Sequence, residues 1–259
     1  MSAYFGIEND GRSYLFTDAA AYSPDGIVRQ FVRKVELSER VPFAITTHGD
    51  ADLGARAAKF LAAQADKHGI DVFVDEFLPL FLHDMAETYR DAPAERKDVM
   101  AYMAVWSETR GIMHLGFQTV PEPETATHAG VVPFTVEQFG KTSFRGSDFP
   151  ITRMASIRPP LPGESQEDFV RNLGVTVLGF MREQPSVTIN RQGKGDVPKH
   201  RVGGWIDMTI VDASGARCDR VHTWDDKIGE YIQPFAAHST VIPFAGNRAA
   251  RRAAGRLAA

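Results

Sequence analysis

The 259-residue chain has one cysteine, Cys218, so no disulfide can form within it, and a reducing compartment is expected. It has no apolar run near the roughly 20 residues that a membrane helix needs. It has no large excess of either charge. Lys and Arg number 29 and Asp and Glu 33, for a net charge of -4 and a pI near 6.1, which argues against a nucleic-acid binder. The opening MSAYFGIENDG has no basic stretch followed by an apolar one. No secretory signal is expected, and a cytoplasmic location is the default. No repeat at solenoid periods is present. What is present is ordinary globular composition, 43% hydrophobic and 24% charged, at a length suited to one large domain or two small ones.

The pattern of residues predicts strands first. Ala3 to Ile7 and Ser13 to Thr17 flank Asn9-Asp10-Gly11, a turn sequence that tolerates positive φ, with Tyr14 and Phe16 on one face and Leu15 on the other. After a second turn at Ser23-Pro24-Asp25-Gly26, Ile27 to Leu37 reads as one strand and Val41 to Thr47 as another. Asp50 is placed to cap a helix carrying Leu53, Ala57, Phe60 and Leu61 on one stripe, ended by Gly69. Phe77 to Tyr89 reads as a second helix with Pro79 near its start. Val99 to Ser107 and Ile112 to Val120 form a hairpin, Glu164 to Met181 a helix, and Trp205 to Val211 with Ala216 to Thr223 a closing hairpin. Seven of the 15 prolines fall in residues 121–162, which predicts an irregular insertion. Strands, then two helices, then strands point to an α+β domain over residues 1–245. Residues 246–259 form an Arg/Ala-rich tail, read as a frayed helix end.

The chemistry gathers at the N-terminus. Methionine aminopeptidases remove Met1 when a small residue follows, and Ser2 follows. A chain trimmed to Ser2 carries a hydroxyl and a free α-amine on one residue. An α-amine titrates near pH 8, so it can accept the hydroxyl proton at neutral pH. The interval from Ser2 to Asp18 equals the interval from Asp18 to Lys34. A lysine near Ser2 would lower the α-amine pKa and favour the forming alkoxide, and an aspartate would hold that lysine in place.

These intervals resemble those of the proteasome β-subunit family and its bacterial relative, the HslV peptidase. Both are N-terminal nucleophile hydrolases in which a mature N-terminal Thr, an Asp and a Lys recur at the same two spacings. Ser2-Ala3-Tyr4-Phe5-Gly6 stands where the family has Thr-Thr-x-Val-Gly. Asn9-Asp10-Gly11 stands at its hairpin turn, Thr17-Asp18 at its Asp-bearing strand end and Arg33-Lys34-Val35 at its lysine segment. His48-Gly49 falls on its oxyanion segment, just before a long helix. The likeness runs from Ser2 to the end of that helix near Gly69 with register intact. Beyond Gly69 only the order of elements continues.

The resemblance implies a four-layer αββα sandwich and peptide or amide bond hydrolysis without metal or organic cofactor. Ser2 would be the nucleophile, Lys34 and Asp18 would tune it, and His48 and Gly49 would form the oxyanion hole. It further implies a peptide or small amide substrate and a homo-oligomeric ring, and leaves open an unfolding ATPase partner. Some positions depart from the family. Val202-Gly203-Gly204 has Val where the family has Ser, Lys199 stands for an aspartate, Ala20 for an arginine, and no counterpart of the second catalytic serine segment is evident. Those departures favour an alternative, a non-catalytic proteasome-like subunit acting as an assembly or binding module. A stand-alone amide acylase is a third reading.

Other clusters carry less. His48, Asp50 and Asp52 have the look of metal ligands, but the helix cap already accounts for Asp50 and the first helical turn for Asp52. The remaining histidines show no metal-ligand spacing, Gly193 to Gly204 make no phosphate loop, and Cys218 reads as a small apolar residue in a strand.

Overall fold

The computed structural model describes residues 3–23, 25–91, 98–120, 132–145, 153, 156–185 and 199–235. Met1, Ser2 and the 246–259 tail lie outside these residues.

The chain opens as the expected hairpin. β1 (Tyr4–Asn9) and β2 (Arg12–Asp18) pair with Asn9 opposite Arg12, leaving Asp10-Gly11 as a two-residue turn. Both turn residues have positive φ, 51° and 67°, a conformation whose twist suits antiparallel strands. Residues 27–37 do not form the single strand that their composition predicts. β4 (Val28–Phe31) pairs with β3 (Ala20–Tyr22), whereas β5 (Val35–Leu37) joins β6 (Phe43–Gly49) in another sheet. Val32 to Lys34 is the crossing. The Val32 N–H bonds the Ala19 carbonyl at 2.9 Å, while the Lys34 carbonyl accepts from the Thr46 hydroxyl at 2.8 Å. These partners lie on either side of the crossing, and side-chain alternation carries no trace of them.

Asp50 caps α1 (Ala51–His68) by accepting the Leu53 N–H at 2.8 Å. The next helix starts earlier than its apolar stripe indicates. α2 (Ile70–Val72), a wide π-turn at Phe73–Phe77 and α3 (Leu78–Thr88) follow one another directly. Pro79 offers no N–H and its ring crowds the carbonyl four residues back. The widened turn, with Leu78 N–H bonded to Phe73 O, lies just before it and relieves that conflict.

β7 (Val99–Ser107) and β8 (Gly111–Gln118) form the central hairpin. Within the span read as an irregular insertion, β9 (Glu137–Phe139) pairs with β8 and β10 (Thr142–Arg145) pairs with β1. This stretch lies between Pro133 and Pro150 and is free of proline, and Phe139 stacks on Tyr102 at 5.9 Å. Residues 121–131, 146–152, 154 and 155 of that span lie outside the described residues. α4 (Gln166–Glu183), capped by Ser165, leads to β11 (Trp205–Asp212) and β12 (Gly215–Thr223).

The larger sheets have the orders β10-β1-β2-β11-β12 and β5-β6-β7-β8-β9, with every pairing antiparallel. Val170, Val177 and Met181 of α4 pack on Phe5, Phe16 and Met208 of the first. Leu61, Phe73 and Leu82 pack on Ile45, Met103 and Phe117 of the second. Alternate residues supply a third cluster, with Tyr4, Leu15 and Val211 from the first sheet against Val35, Ala44 and Tyr102 from the second. The class is α+β. Among the described residues no helix is long and apolar enough to cross a membrane.

This packing has two measurable consequences. Gly174 on α4 rests on the Phe16 ring, and a Cβ there would overlap it. Gly174→Ala is expected to destabilise the protein by about 1–3 kcal/mol through overpacking. An unchanged urea midpoint would show that α4 can lift from β2 at no cost.

The second concerns His114, which joins the two sheets. Its Nδ1 lies 3.2 Å from the Gly140 carbonyl, which can only accept. Nδ1 therefore carries the proton, and Nε2 accepts from the Ser13 hydroxyl at 2.7 Å. Burial depresses the His114 pKa, against the smaller pull of Gly140 and Glu8; burial and then Arg182 depress that of His222. Unfolded histidine takes a proton near pH 6.5, so below that pH the unfolded chain binds more protons than the folded one. The associated stability is present above about pH 6.5 and is lost as pH falls below it. Urea midpoints should drop between pH 7.5 and 5.5, and drop less in His114→Asn; equal drops in both proteins would contradict this assignment.

Candidate functional site

Asp18 is the last residue of β2 and its side chain is fully buried. The crossing at Val32 to Lys34 carries Lys34 back to it, with Nζ 2.7 Å from Oδ1 and 7% of the lysine side chain exposed. Oδ1 also accepts the Ala3 N–H at 3.0 Å. Oδ2 accepts the N–H groups of Ala20 and Gly203 at 3.3 and 3.2 Å. Four donors match the roughly four lone-pair sites of a carboxylate. Asp18 thus ties together Lys34 and the backbone N–H groups of Ala3, Ala20 and Gly203.

Backbone bonds lock these segments together. The Gly203 carbonyl accepts from Ala19 and Ala20 at 3.1 and 3.0 Å. Behind Gly203, Arg182 and Asp226 form a buried two-pronged ion pair at 2.8 and 2.6 Å, and Asp226 also accepts the Gly204 N–H at 2.8 Å. A Cβ on Gly203 would press on both side chains of that pair.

His48 and Gly49 end β6, two and three residues beyond the Thr46 that anchors Lys34. Gly49 has φ 108°, and a Cβ there would strike the Asp98 carbonyl. The glycine is therefore required by the junction with β7. That junction borders the start of β1. Tyr4 stands opposite Arg145 in register; burial lowers the Arg145 pKa, and Tyr4 and then Asp98 oppose the shift.

The structure brings Asp18, Lys34 and the N–H of Ala3 into contact. It places His48 and Gly49 at the adjoining strand end. Ser2, the expected nucleophile, lies outside the described residues, one peptide bond before Ala3. Val202, at the family's serine position, is buried against the first sheet, and its carbonyl accepts from Arg182 at 2.8 Å. Lys199, at the aspartate position, lies against Gly26.

Sequence reasoning missed Gly203 as a donor to Asp18. The Gly203-Gly204 pair is visible in the sequence, but nothing local says which carboxylate it meets. It also missed Tyr22 and Arg201. The Arg201 guanidinium lies 5.2 Å from the Tyr22 ring centre. Burial pushes the Tyr22 phenol well up and the Asp18 charge adds to this, while Arg201 opposes it. A scan against protein-family models and a search of curated proteins each find no match for this sequence.

Proposed function

We propose that the chain, trimmed to Ser2, is an N-terminal serine hydrolase of peptide or amide bonds. Its two sheets and flanking helices then form a four-layer αββα sandwich of the proteasome-like type. The observation that carries this reading is the buried Lys34–Asp18 pair bonded to the N–H of Ala3. A backbone nitrogen lies within about 4 Å of the next one along the chain. In this reading the Lys34 cation acts on the α-amine that precedes Ala3 and favours its neutral form.

The chemistry needs no further group. The Ser2 Oγ attacks the substrate carbonyl carbon as its proton passes to the α-amine. The carbonyl electron pair moves onto oxygen, where backbone N–H groups at His48 and Gly49 would meet it. Collapse breaks the C–N bond, and the ammonium returns its proton to the leaving amine. The resulting ester is cleaved by water, deprotonated by the same α-amine, and Ser2 is regenerated. Lys34 supports the alkoxide at each stage, and Asp18 keeps Lys34 in place.

The test combines N-terminal mass analysis with turnover of a mixture of unmodified peptides, read as new peptide ends. The reading expects loss of Met1 and cleavage products. Retained Met1 leaves no free amine on Ser2 and ends the mechanism. A trimmed chain that cleaves nothing and sediments as a stable ring would instead favour the non-catalytic assembly subunit. Cleavage by a monomer would favour an acylase without a closed chamber.

A further inference from the structure

A cleft of about 460 Å³ opens between α4 and the chain that follows β12. Its size is that of a small-molecule site. None of its lining residues belongs to the Asp18–Lys34 site. The α4 wall is the stripe Val175, Gly179 and Arg182, at i, i+4 and i+7. Gly179 leaves room there, because a Cβ built on it would meet no atom within 4 Å. The opposite wall is tied to β4. The Val28 carbonyl accepts the Gly229 N–H at 2.8 Å, and the Val28 N–H donates to the Glu230 carbonyl at 3.0 Å. Both walls are therefore held by backbone hydrogen bonds.

The cleft contains a buried polar group with nothing to bond. His222 is 5% exposed and lines the cleft, and its ring nitrogens have no hydrogen-bond partner among the described residues. A buried group left so is costly, and a ligand that bonds it recovers that cost. Burial and then Arg182 hold its pKa down, so near neutral pH it offers one accepting nitrogen and one N–H. The Trp224 ring packs against it edge to face, with centroids 5.0 Å apart.

The charges are unequal. Arg182 lies over the Trp224 ring and is closed on Asp226, so neither is free for a ligand. Glu183 is paired with Arg153. That leaves Asp225 and Glu230, exposed and unpaired among the described residues, against Lys227 alone. The Tyr231 ring, 51% exposed, stands on the same rim. Aromatic walls favour a flat ligand, and two free carboxylates against one ammonium favour a cation.

We propose that this cleft binds a small aromatic amine, with the ammonium on Asp225 and Glu230, the ring against Trp224 and Tyr231, and a ring N–H bonded to His222. The proposal does not depend on the Ser2 reading, and its test measures binding, not hydrolysis.

The experiment is calorimetric titration of the intact protein with tryptamine and with indole-3-acetate, which carries the same ring but an anion in place of the cation. Tryptamine should saturate one site and bind at least about tenfold tighter than indole-3-acetate. Gly179→Leu fills the cleft and should weaken tryptamine at least about tenfold. Leucine is also the better helix former, so the urea midpoint should not fall. Asp225→Asn combined with Glu230→Gln changes only exposed side chains and should weaken binding at least about fivefold. His222→Phe keeps a ring without its nitrogens and should cost about fivefold. No saturation below about 10 mM tryptamine, equal affinity for the anion, or undiminished affinity in any of the folded variants overturns the proposal.

Discussion

Ser2→Ala should lower peptide hydrolysis at least about 10³-fold while leaving the unfolding midpoint unchanged. Alanine is also small, so Met1 is still removed and the free amine is kept. Only the hydroxyl is lost, and with it the acyl intermediate. Ser2→Thr should retain turnover, because it keeps an oxygen at the same position on the residue that bears the amine. A stability change in Ser2→Ala would point to a packing role. Unchanged turnover would place the nucleophile elsewhere.

The second large effect is on folding. Asp18→Ala should cost about 3–5 kcal/mol, because the Lys34 ammonium is left buried and unpaired. The N–H groups of Ala3, Ala20 and Gly203 lose their acceptor as well. Lys34→Met should be comparably costly, since it strands the buried carboxylate. The double variant should lose clearly less than the sum of the two, because the charges vanish together. The exposed pair Arg90–Glu87 offers the contrast, as such surface pairs contribute only about 0–1 kcal/mol. Urea unfolding of the four proteins gives the coupling directly. Additive losses would mean that the contact contributes nothing as a pair.

Much of this architecture is written locally. The Asn9-Asp10-Gly11 turn, the Asp50 and Ser165 caps and the hairpins at 99–118 and 205–223 each depend on residues within a few positions of one another. What was illegible depends on distant partners. Ile27 to Leu37 has an unbroken strand pattern, yet Val32 to Lys34 switches sheets to serve Ala19 on one side and Thr46 on the other. β9 and β10 are short edge strands whose pairing lies in β8 and β1, so their own sequence announces little. The π-turn before Pro79 answers a backbone conflict that an apolar stripe does not encode.

The site divides the same way. Spacing by resemblance put Asp18 and Lys34 together, and they meet at 2.7 Å. Gly203, which completes the set of donors to Asp18, and the Arg182–Asp226 pair behind it come from late in the chain. No pattern between Ser2 and Gly69 could reveal them.

The most direct measurement is covalent capture with a β-lactone, an electrophile that acylates an activated hydroxyl, followed by intact mass and fragment mapping. The account predicts one acyl group on the side-chain oxygen of the first residue of a chain lacking its initiator methionine, and none in Lys34→Met. An uncut N-terminus, or label found on any other residue, would contradict it.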